Sequence, residues 1–329
     1  GFREFQRDSK LQPGDKIYVS NRGKAVIFAV IGTEPLENGV HIAAAHIDAP
    51  CIHLKQNPLY EENELCMFKT HYYGGIKKYQ WPAIPLELRG VIAFQDGHTI
   101  TVEIGSDPGD PIFTITDLLP HLGKDQMQKT MLEGVPGESL NILVGSEPME
   151  GDRGDDLVKL NILRLLNEKY GMHETDFLSA ELAAVPAFDA RDLGFDRSMI
   201  GSYGHDDRVC AYPSVQALFA TEAPKKTAVC ILADKEEIGS EGVSGMKSAH
   251  FDTFIEDICE AFGARPRACF EKSCCLSTDV LAGYDPNFPD VLDRRNAAMV
   301  NHGVALCKYT GSRGKSGASD AAAELVARM

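Results

Sequence analysis

Hydrophobic and polar positions follow two different patterns along this chain. Near the N-terminus, two short apolar runs bounded by turn residues, 24–33 and 40–46, are typical of strands buried on both faces. From residue 204 onwards, strand-like and helix-like runs alternate. The predicted helices there are 206–220, 248–262 and 319–329, the last with Ser319 as its N-cap, and the predicted buried strands are 226–234 and 302–309. This alternation indicates a mostly parallel α/β sheet flanked by helices.

The middle of the chain has a different texture. Tyr, Gly and Pro cluster around 69–85, and short alternating runs follow, with Asp96-Gly97 as a hairpin turn between two predicted strands. A helix is predicted over 155–170. We therefore predict an α/β domain formed by residues 1–51 and 204–329, interrupted by a mostly β insert at 52–203.

Composition excludes several classes of protein. The 329 residues include 33 Lys and Arg against 48 Asp and Glu, a net charge of −15, which disfavours binding to nucleic acid and anionic membranes. No apolar run is long enough to form a membrane-spanning helix. Nine cysteines, an odd number without a CxxC pair, argue against a disulfide framework and predict a reducing compartment, the cytoplasm.

Polar side chains follow the apolar strands at the points where a ligand site would be built. His46 and Asp48 follow the second strand, Glu236 and Glu237 follow 226–234, and Asp279 follows another short apolar run. In α/β sheets, ligands bind outside the carboxyl ends of the strands. Each motif alone is also consistent with a solvated surface loop, so it is their joint occurrence that indicates a metal site.

Imidazole nitrogen and carboxylate oxygen together suit a divalent metal, most simply zinc. In an extended His-x-Asp segment both side chains point to one side, so Asp48 could fix the tautomer of His46. Adjacent glutamates point to different sides, so one can bind metal while the other takes a proton from water. Asp206 and Asp207 are equally consistent with acidic residues in the first turn of a helix.

Six segments carry a resemblance to a known family. They are AAAHIDAPCIHLKQNPLY, KTHYYGGIKKYQW, GHDDRVCAY, ADKEEIGSEG, STDVLAG and NHGVALCKYTGSRGKSGASDA. The segments run in the same order as in the family that the sequence resembles, the M18 metalloaminopeptidases. This is the aspartyl aminopeptidase family, and the resemblance is especially to its bacterial branch. The resemblance implies a zinc-peptidase-like catalytic domain with an inserted dimerisation domain, assembled into a homo-oligomer that is often a dimer-based dodecamer.

The resemblance also implies a site with two divalent metals, usually zinc, with cobalt or manganese as alternatives. Glu236 would be the general base that takes a proton from the attacking water, and Asp48 would orient His46. The substrates would be peptides with a free N-terminus. The metal ligands implied are His46, Asp206, Glu237 and Asp279.

Two further residues are implied to bind substrate. The family prefers N-terminal Asp or Glu, and Lys308 matches its acid-binding lysine, although a lysine at the end of an edge strand is the alternative. His121 corresponds to a histidine that reaches a neighbouring subunit's site, or else lies on a helix surface. A substrate preference in the bacterial branch that differs from that of the eukaryotic enzymes also stays open.

The chain departs from the family pattern at its ends. The family continues past Met329 and there supplies a further histidine ligand, and this chain begins inside the family domain. His302 belongs to the NHG segment and does not replace that ligand. We therefore expect an incomplete chain that holds one metal better than two and has low activity. Two alternatives stay open, an aminopeptidase of broad or neutral specificity and a non-catalytic homologue that keeps only the shell.

Overall fold

The computed structural model describes residues 1–309 and 321–329. The strands in these ranges are β1 (Arg3–Glu4), β2 (Lys16–Asn21), β3 (Ala25–Val30), β4 (His41–His46), β5 (Cys51–Glu62), β6 (Leu65–Tyr73), β7 (Leu86–Ala93), β8 (Thr99–Ile104), β9 (Thr114–Ile115), β10 (Ile142–Gly145), β11 (Glu181–Pro186), β12 (Arg191–Leu193), β13 (Met199–Gly201), β14 (Ala228–Ala233) and β15 (Cys274–Ser277). The α-helices are α1 (Lys124–Met127), α2 (Leu157–Tyr170), α3 (His205–Phe219), α4 (His250–Ala261), α5 (Pro266–Lys272) and α6 (Ala323–Val326).

The first and last parts of the chain share one six-stranded sheet, in the order β1-β2-β3-β14-β4-β15. β4 lies between β14 and β15 and is parallel to both, whereas β3 is antiparallel to both of its neighbours. The sheet is therefore mixed, with the parallel set β14, β4 and β15 on the side that carries the polar strand ends and a parallel β1–β2 pair at the other edge. The predicted α/β class is confirmed.

Helices cover this sheet because each has an apolar side. Phe254, Ile255 and Ile258 of α4 are buried in one core with Ile42 of β4 and Ile231 of β14. On another part of the sheet, Leu218 of α3 is buried with side chains of β3 and β14. Burying such side chains contributes roughly 1.5–3 kcal/mol each, so these contacts fix the helices relative to the strand ends.

The strands from β5 to β11 form a second, seven-stranded sheet in the order β8-β7-β11-β5-β6-β10-β9. It has a core of its own, which includes Ile52, Phe68, Leu86, Ile142 and Val158 of α2. The predicted hairpin at residues 96–97 joins β7 and β8, which pair antiparallel. These strands lie almost wholly within 52–203, and the predicted insert with its boundaries stays a prediction.

Gly39 allows β15 to lie beside β4. Its φ of +85° is one that L side chains rarely adopt, and a Cβ placed there would lie 2.1 Å from the carbonyl oxygen of Lys272. Because Lys272 ends α5 just before β15, the bare backbone of Gly39 permits the close approach. The Val40 N–H then donates to Ser273 Oγ at 3.0 Å.

Two predictions made from the sequence differ from the structure. Residues 302–309 form no strand and are exposed, with Val304 at 93% exposure. An apolar run becomes a buried strand only where another strand and covering helices receive it, and the described residues provide neither there. Ser319 lies outside the described residues, and of the predicted helix 319–329 the structure has only α6. No helix in the described ranges is long and apolar enough to cross a membrane.

Candidate metal centre

The candidate site lies at the carboxyl ends of β4, β14 and β15. Their register places Ala233 opposite His46 and Ser277 opposite Ala44, so the segments that follow the three strands emerge together. The Thr278 N–H also donates to the Ala44 carbonyl at 2.8 Å, which extends this alignment one residue past β15. Parallel pairing therefore gathers the predicted residues at one edge of the sheet.

His46 is the centre of the cluster, and its side chain is only 3% exposed. Its Nδ1 lies 3.1 Å from the Asp48 carbonyl oxygen and 3.2 Å from Asp48 Oδ1. Its Nε2 lies 2.8 Å from Asp206 Oδ1, 3.8 Å from Glu236 Oε2 and 3.8 Å from Asp279 Oδ1. One imidazole therefore faces carboxylates that follow β4, β14 and β15 and another in the first turn of α3.

The two ring nitrogens of His46 have different surroundings. Both partners of Nδ1 are acceptors on Asp48, so Nδ1 carries a proton and donates it. Nε2 then faces three carboxylates. Because the unprotonated Nε2 and the carboxylate oxygens are all acceptors, a positive charge is needed between them. Burial alone lowers the pKa of His46, but the charges of Asp48 and Glu236 and the hydrogen bond with Asp206 together raise it. A proton or a metal ion on Nε2 satisfies this field.

The carboxylates repel one another as well. Burial, followed by the charge of Asp206, raises the pKa of Glu237 to about 7. Burial also raises the pKa of Asp279, with Asp206 adding to it, and that of Glu236, with Asp279 adding to it. A divalent cation removes this repulsion, and nitrogen and oxygen are the ligands that zinc accepts, so the residues present fit a metal site.

The ligand atoms divide into two groups that share Asp279. The oxygens of Glu236 and Asp279 lie within 4.8 Å of each other and of a His46 nitrogen, and those of Asp206, Asp207 and Asp279 are equally close. Glu236 thus stands near enough to His46 to act either as a ligand or as a base. The division of roles between Glu236 and Glu237 stays a prediction.

Asp207 is a member of the cluster that sequence reasoning treats only as a first-turn helix residue. It is fully buried, and its two carboxylate oxygens have no donor of hydrogen-bond geometry among the described residues. Glu237 Oε1 is also buried and likewise has no donor of hydrogen-bond geometry among the described residues. The first turn of α3 is not helical at Asp206 and Asp207, and this irregular backbone turns both carboxylates toward the cluster. Only the adjacency of the two aspartates in HDDR could have indicated this.

Two of the predicted residues lie outside the cluster. Lys308 is exposed, with its ammonium group 5.6 Å from the centre of the Tyr309 ring. His121 is also exposed, in the turn before α1. No described contact joins either residue to the metal centre, so their roles in binding substrate stay predictions.

The loop between β4 and β5 is held by side chains that the sequence did not single out. The Arg208 guanidinium donates to the Ile47 carbonyl at 3.3 Å, and the Tyr203 hydroxyl donates to the Pro50 carbonyl at 2.6 Å. This loop carries Asp48, so its clamping limits how far that carboxylate can move.

Comparisons with known proteins show which family the chain belongs to. A family model described as aminopeptidase I zinc metalloprotease (M18) matches residues 1–329. The relative named "Probable M18 family aminopeptidase 1" from Clostridium acetobutylicum is 48% identical over 337 residues, covering 100% of this chain and 72% of its own length. The crystal structure of an M18 aminopeptidase from Thermotoga maritima, 44% identical, matches with a TM-score of 0.93 and covers 99% of this chain and 72% of that one. The chain belongs to the M18 family.

Membership of the M18 family confirms the predicted enzyme class, a metalloaminopeptidase. The fold also extends to distant members. An mApe1 structure from S. cerevisiae, described as a dodecamer, is 21% identical and has a TM-score of 0.71, covering 91% of this chain and 69% of that one. At that identity the likeness shows the fold alone.

The raised pKa of Glu237 in this M18 chain predicts a pH-dependent penalty in the absence of metal. The folded state holds the Glu237 proton more tightly than the unfolded state, so the resulting stability is complete below about pH 4.5 and is lost as the pH rises through about 7. In EDTA, Glu237→Gln should therefore become progressively more stable than the unsubstituted protein between these pH values. Urea unfolding at several pH values measures this difference.

The control for this experiment is Glu241→Gln, which changes an exposed carboxylate close by in the sequence. It should show no such divergence. Zinc should reverse the order at pH 7.5, because a metal stabilises the ionised carboxylate that glutamine lacks. A Glu237→Gln protein that tracks the unsubstituted one at every pH in EDTA contradicts the prediction.

Proposed function

We propose that this chain removes the N-terminal residue of peptides at a site built for two divalent metals, of which the one held by His46, Asp206 and Asp279 binds more tightly, with zinc as the native ion. The observation that carries the proposal is the convergence of His46 with Asp206, Glu236 and Asp279 at the carboxyl ends of parallel strands. Such a set of charges is costly without a cation, and it is shaped to hold one. The reducing cytoplasm is the proposed location.

The residues divide the work as follows. His46, Asp206, Glu237 and Asp279 hold the metals, which when bound supply Lewis-acid activation of water and of the scissile carbonyl. Glu236 takes a proton from the attacking water and delivers it to the leaving amine. Its raised pKa, caused first by burial, suits this task, because a carboxylate that holds its proton more tightly than usual is the stronger base.

The specificity has two candidate forms. The first is a preference for N-terminal Asp or Glu, with Lys308 as the cation that binds the acidic side chain. The second is broad or neutral specificity, favoured by the placement of Lys308 on an exposed segment without a described contact to the cluster. Two cationic side chains near the loop between β4 and β5 already have partners: Arg208 donates to a backbone carbonyl, and Lys235 pairs with Asp234.

We also propose that the chain functions as a homo-oligomer built from dimers, as large as a dodecamer. The segment 118–132, which contains α1, exposes six apolar side chains close together in sequence, which we call the apolar patch: Leu118, Leu119, Leu122, Met127, Met131 and Leu132. Contiguous exposed apolar surface is costly in water and marks an interaction site. His121 lies between Leu119 and Leu122 of this patch. An interface there would suit the prediction that His121 acts at a neighbouring subunit.

Hydrolysis of Asp-arylamide tests the proposed reaction. The protein should release the arylamine only when zinc, manganese or cobalt is present, and Glu236→Gln should lower kcat by about 100- to 10,000-fold because the base is lost. Glu241→Gln, an equivalent change at an exposed position, should leave kcat unchanged. Metal that binds without hydrolysis of either Asp-arylamide or Leu-arylamide contradicts the proposal and supports the non-catalytic, shell-forming homologue.

Lys308→Ala distinguishes the two forms of specificity. If Lys308 binds the substrate carboxylate, this variant should lower kcat/KM for Asp-arylamide at least about tenfold, the value of one charge-assisted hydrogen bond, and leave Leu-arylamide unaffected. Lys10→Ala, at another exposed lysine, is the control. Equal rates on both substrates before and after the substitution favour broad specificity.

The oligomer is tested on the apolar patch. Leu122→Asp places a charge on a side chain that is 71% exposed in the single chain, so it should disrupt assembly without harming the fold. Light scattering should then show a smaller particle than the unsubstituted protein. Val304→Asp, at an exposed apolar side chain outside the patch, is the control, and an unsubstituted protein that is monomeric contradicts the proposal.

A further inference from the structure

We propose that Tyr73, the last residue of β6, is a positioning residue of the metal centre. Its hydroxyl holds the Asp48 carboxylate, which in turn holds His46. Tyr73 belongs to the seven-stranded sheet, so through this contact the insert fixes a metal ligand of the other sheet. The inference rests on the proposed function only in taking His46 as a metal ligand.

Asp48 is saturated by donors that arrive from three directions. Its Oδ2 accepts from the Tyr73 hydroxyl at 2.6 Å and from the Glu237 N–H at 3.2 Å. Its Oδ1 accepts from the Glu236 N–H at 3.1 Å and from His46 Nδ1 at 3.2 Å. The carboxylate is only 7% exposed, so water cannot readily replace a missing donor.

Tyr73 supplies the shortest of these four hydrogen bonds and the only one of them from a hydroxyl. The two N–H donors belong to the short turn at Glu236–Ile238. The Tyr73 hydroxyl, by contrast, is anchored by a strand of a different sheet. It therefore fixes the plane of the Asp48 carboxylate independently of the turn that carries Glu236 and Glu237.

The Tyr73 ring is itself held in place. It stacks on His53 with the ring centres 5.2 Å apart and the planes 18° apart, and the Lys235 ammonium lies 6.0 Å from its centre. His53 lies on β5, the strand paired with β6. Burial and the hydrogen bond to Asp48 raise the pKa of Tyr73, so the hydroxyl keeps the proton that it donates.

The glycine that follows allows the insert to come this close. Gly74 has a φ of +78°, and a Cβ placed on it would lie 3.2 Å from Glu237 Cβ and 3.3 Å from Pro50 Cβ. The chain after Tyr73 therefore turns away directly against the metal-site loops. The juxtaposition is a close-packed contact between the insert and the cluster.

Tyr73→Phe tests the inference, because it keeps the ring and its stacking and removes only the hydroxyl. Losing a group that orients a metal ligand typically costs 10- to 100-fold in metal affinity, and we expect about tenfold here. Zinc competition with a chromophoric chelator measures the affinity. The absorption spectrum of the cobalt-loaded protein should shift as well, since His46 is then oriented less rigidly.

Tyr72→Phe is the matched control, the same substitution at the neighbouring tyrosine, which is 44% exposed. It should leave zinc affinity and the cobalt spectrum unchanged. A double-mutant cycle with Asp48→Asn then shows whether Tyr73 acts through Asp48: adding Tyr73→Phe to Asp48→Asn should change zinc affinity less than about twofold.

Each outcome of these experiments supports or overturns the role of Tyr73. Unchanged zinc affinity in Tyr73→Phe overturns the inference and leaves the proposed function intact. A tenfold loss that persists in the Asp48→Asn background also overturns it, because Tyr73 then acts by another route. An unsubstituted protein that binds no divalent metal overturns the proposed function, and the inference with it.

Discussion

The parallel pairing of β4 with β14 on one side and β15 on the other brings the polar strand ends to one edge of the sheet. Each strand would end in an ordinary loop if it stood alone. Aligned in register, they place one imidazole against the carboxylates of Asp48, Glu236 and Asp279, within hydrogen-bond reach or a little beyond it. The close approach of β15 depends in turn on Gly39, because no side chain fits between that position and the Lys272 carbonyl.

This convergence carries an electrostatic cost that explains much of the surrounding structure. Carboxylates gathered in a partly buried space raise one another's pKa, and Asp207 and Glu237 keep buried oxygens without donors of hydrogen-bond geometry among the described residues. A folded protein rarely retains such groups without a use for them. Bound cations would neutralise the cluster and satisfy those oxygens, so the electrostatic cost of the arrangement and its proposed affinity for metal would have the same origin.

Sequence reasoning located this edge correctly for a definite reason. Short apolar runs predict buried strands, and the residues after parallel strands must meet, so the pattern of apolar and polar positions is enough to group His46, Glu236 and Asp279. The same reasoning failed at 302–309, because apolar composition does not specify a pairing partner. It also passed over Asp207, since its orientation depends on an irregular first turn that has no counterpart in the periodicity.

The Tyr73 contact was beyond prediction for a different reason. Tyr73 ends a strand of one sheet and Asp48 follows a strand of the other, so their meeting depends on how the two sheets pack. No period in the sequence encodes that relation, and the tyrosine stands beside a second one, Tyr72, of equal local propensity. Only alternation decides between them: successive side chains of a strand point to opposite sides, which turns Tyr73 to Asp48 and leaves Tyr72 exposed. Which of the two tyrosines contacts Asp48 therefore depends on strand register as much as on residue type.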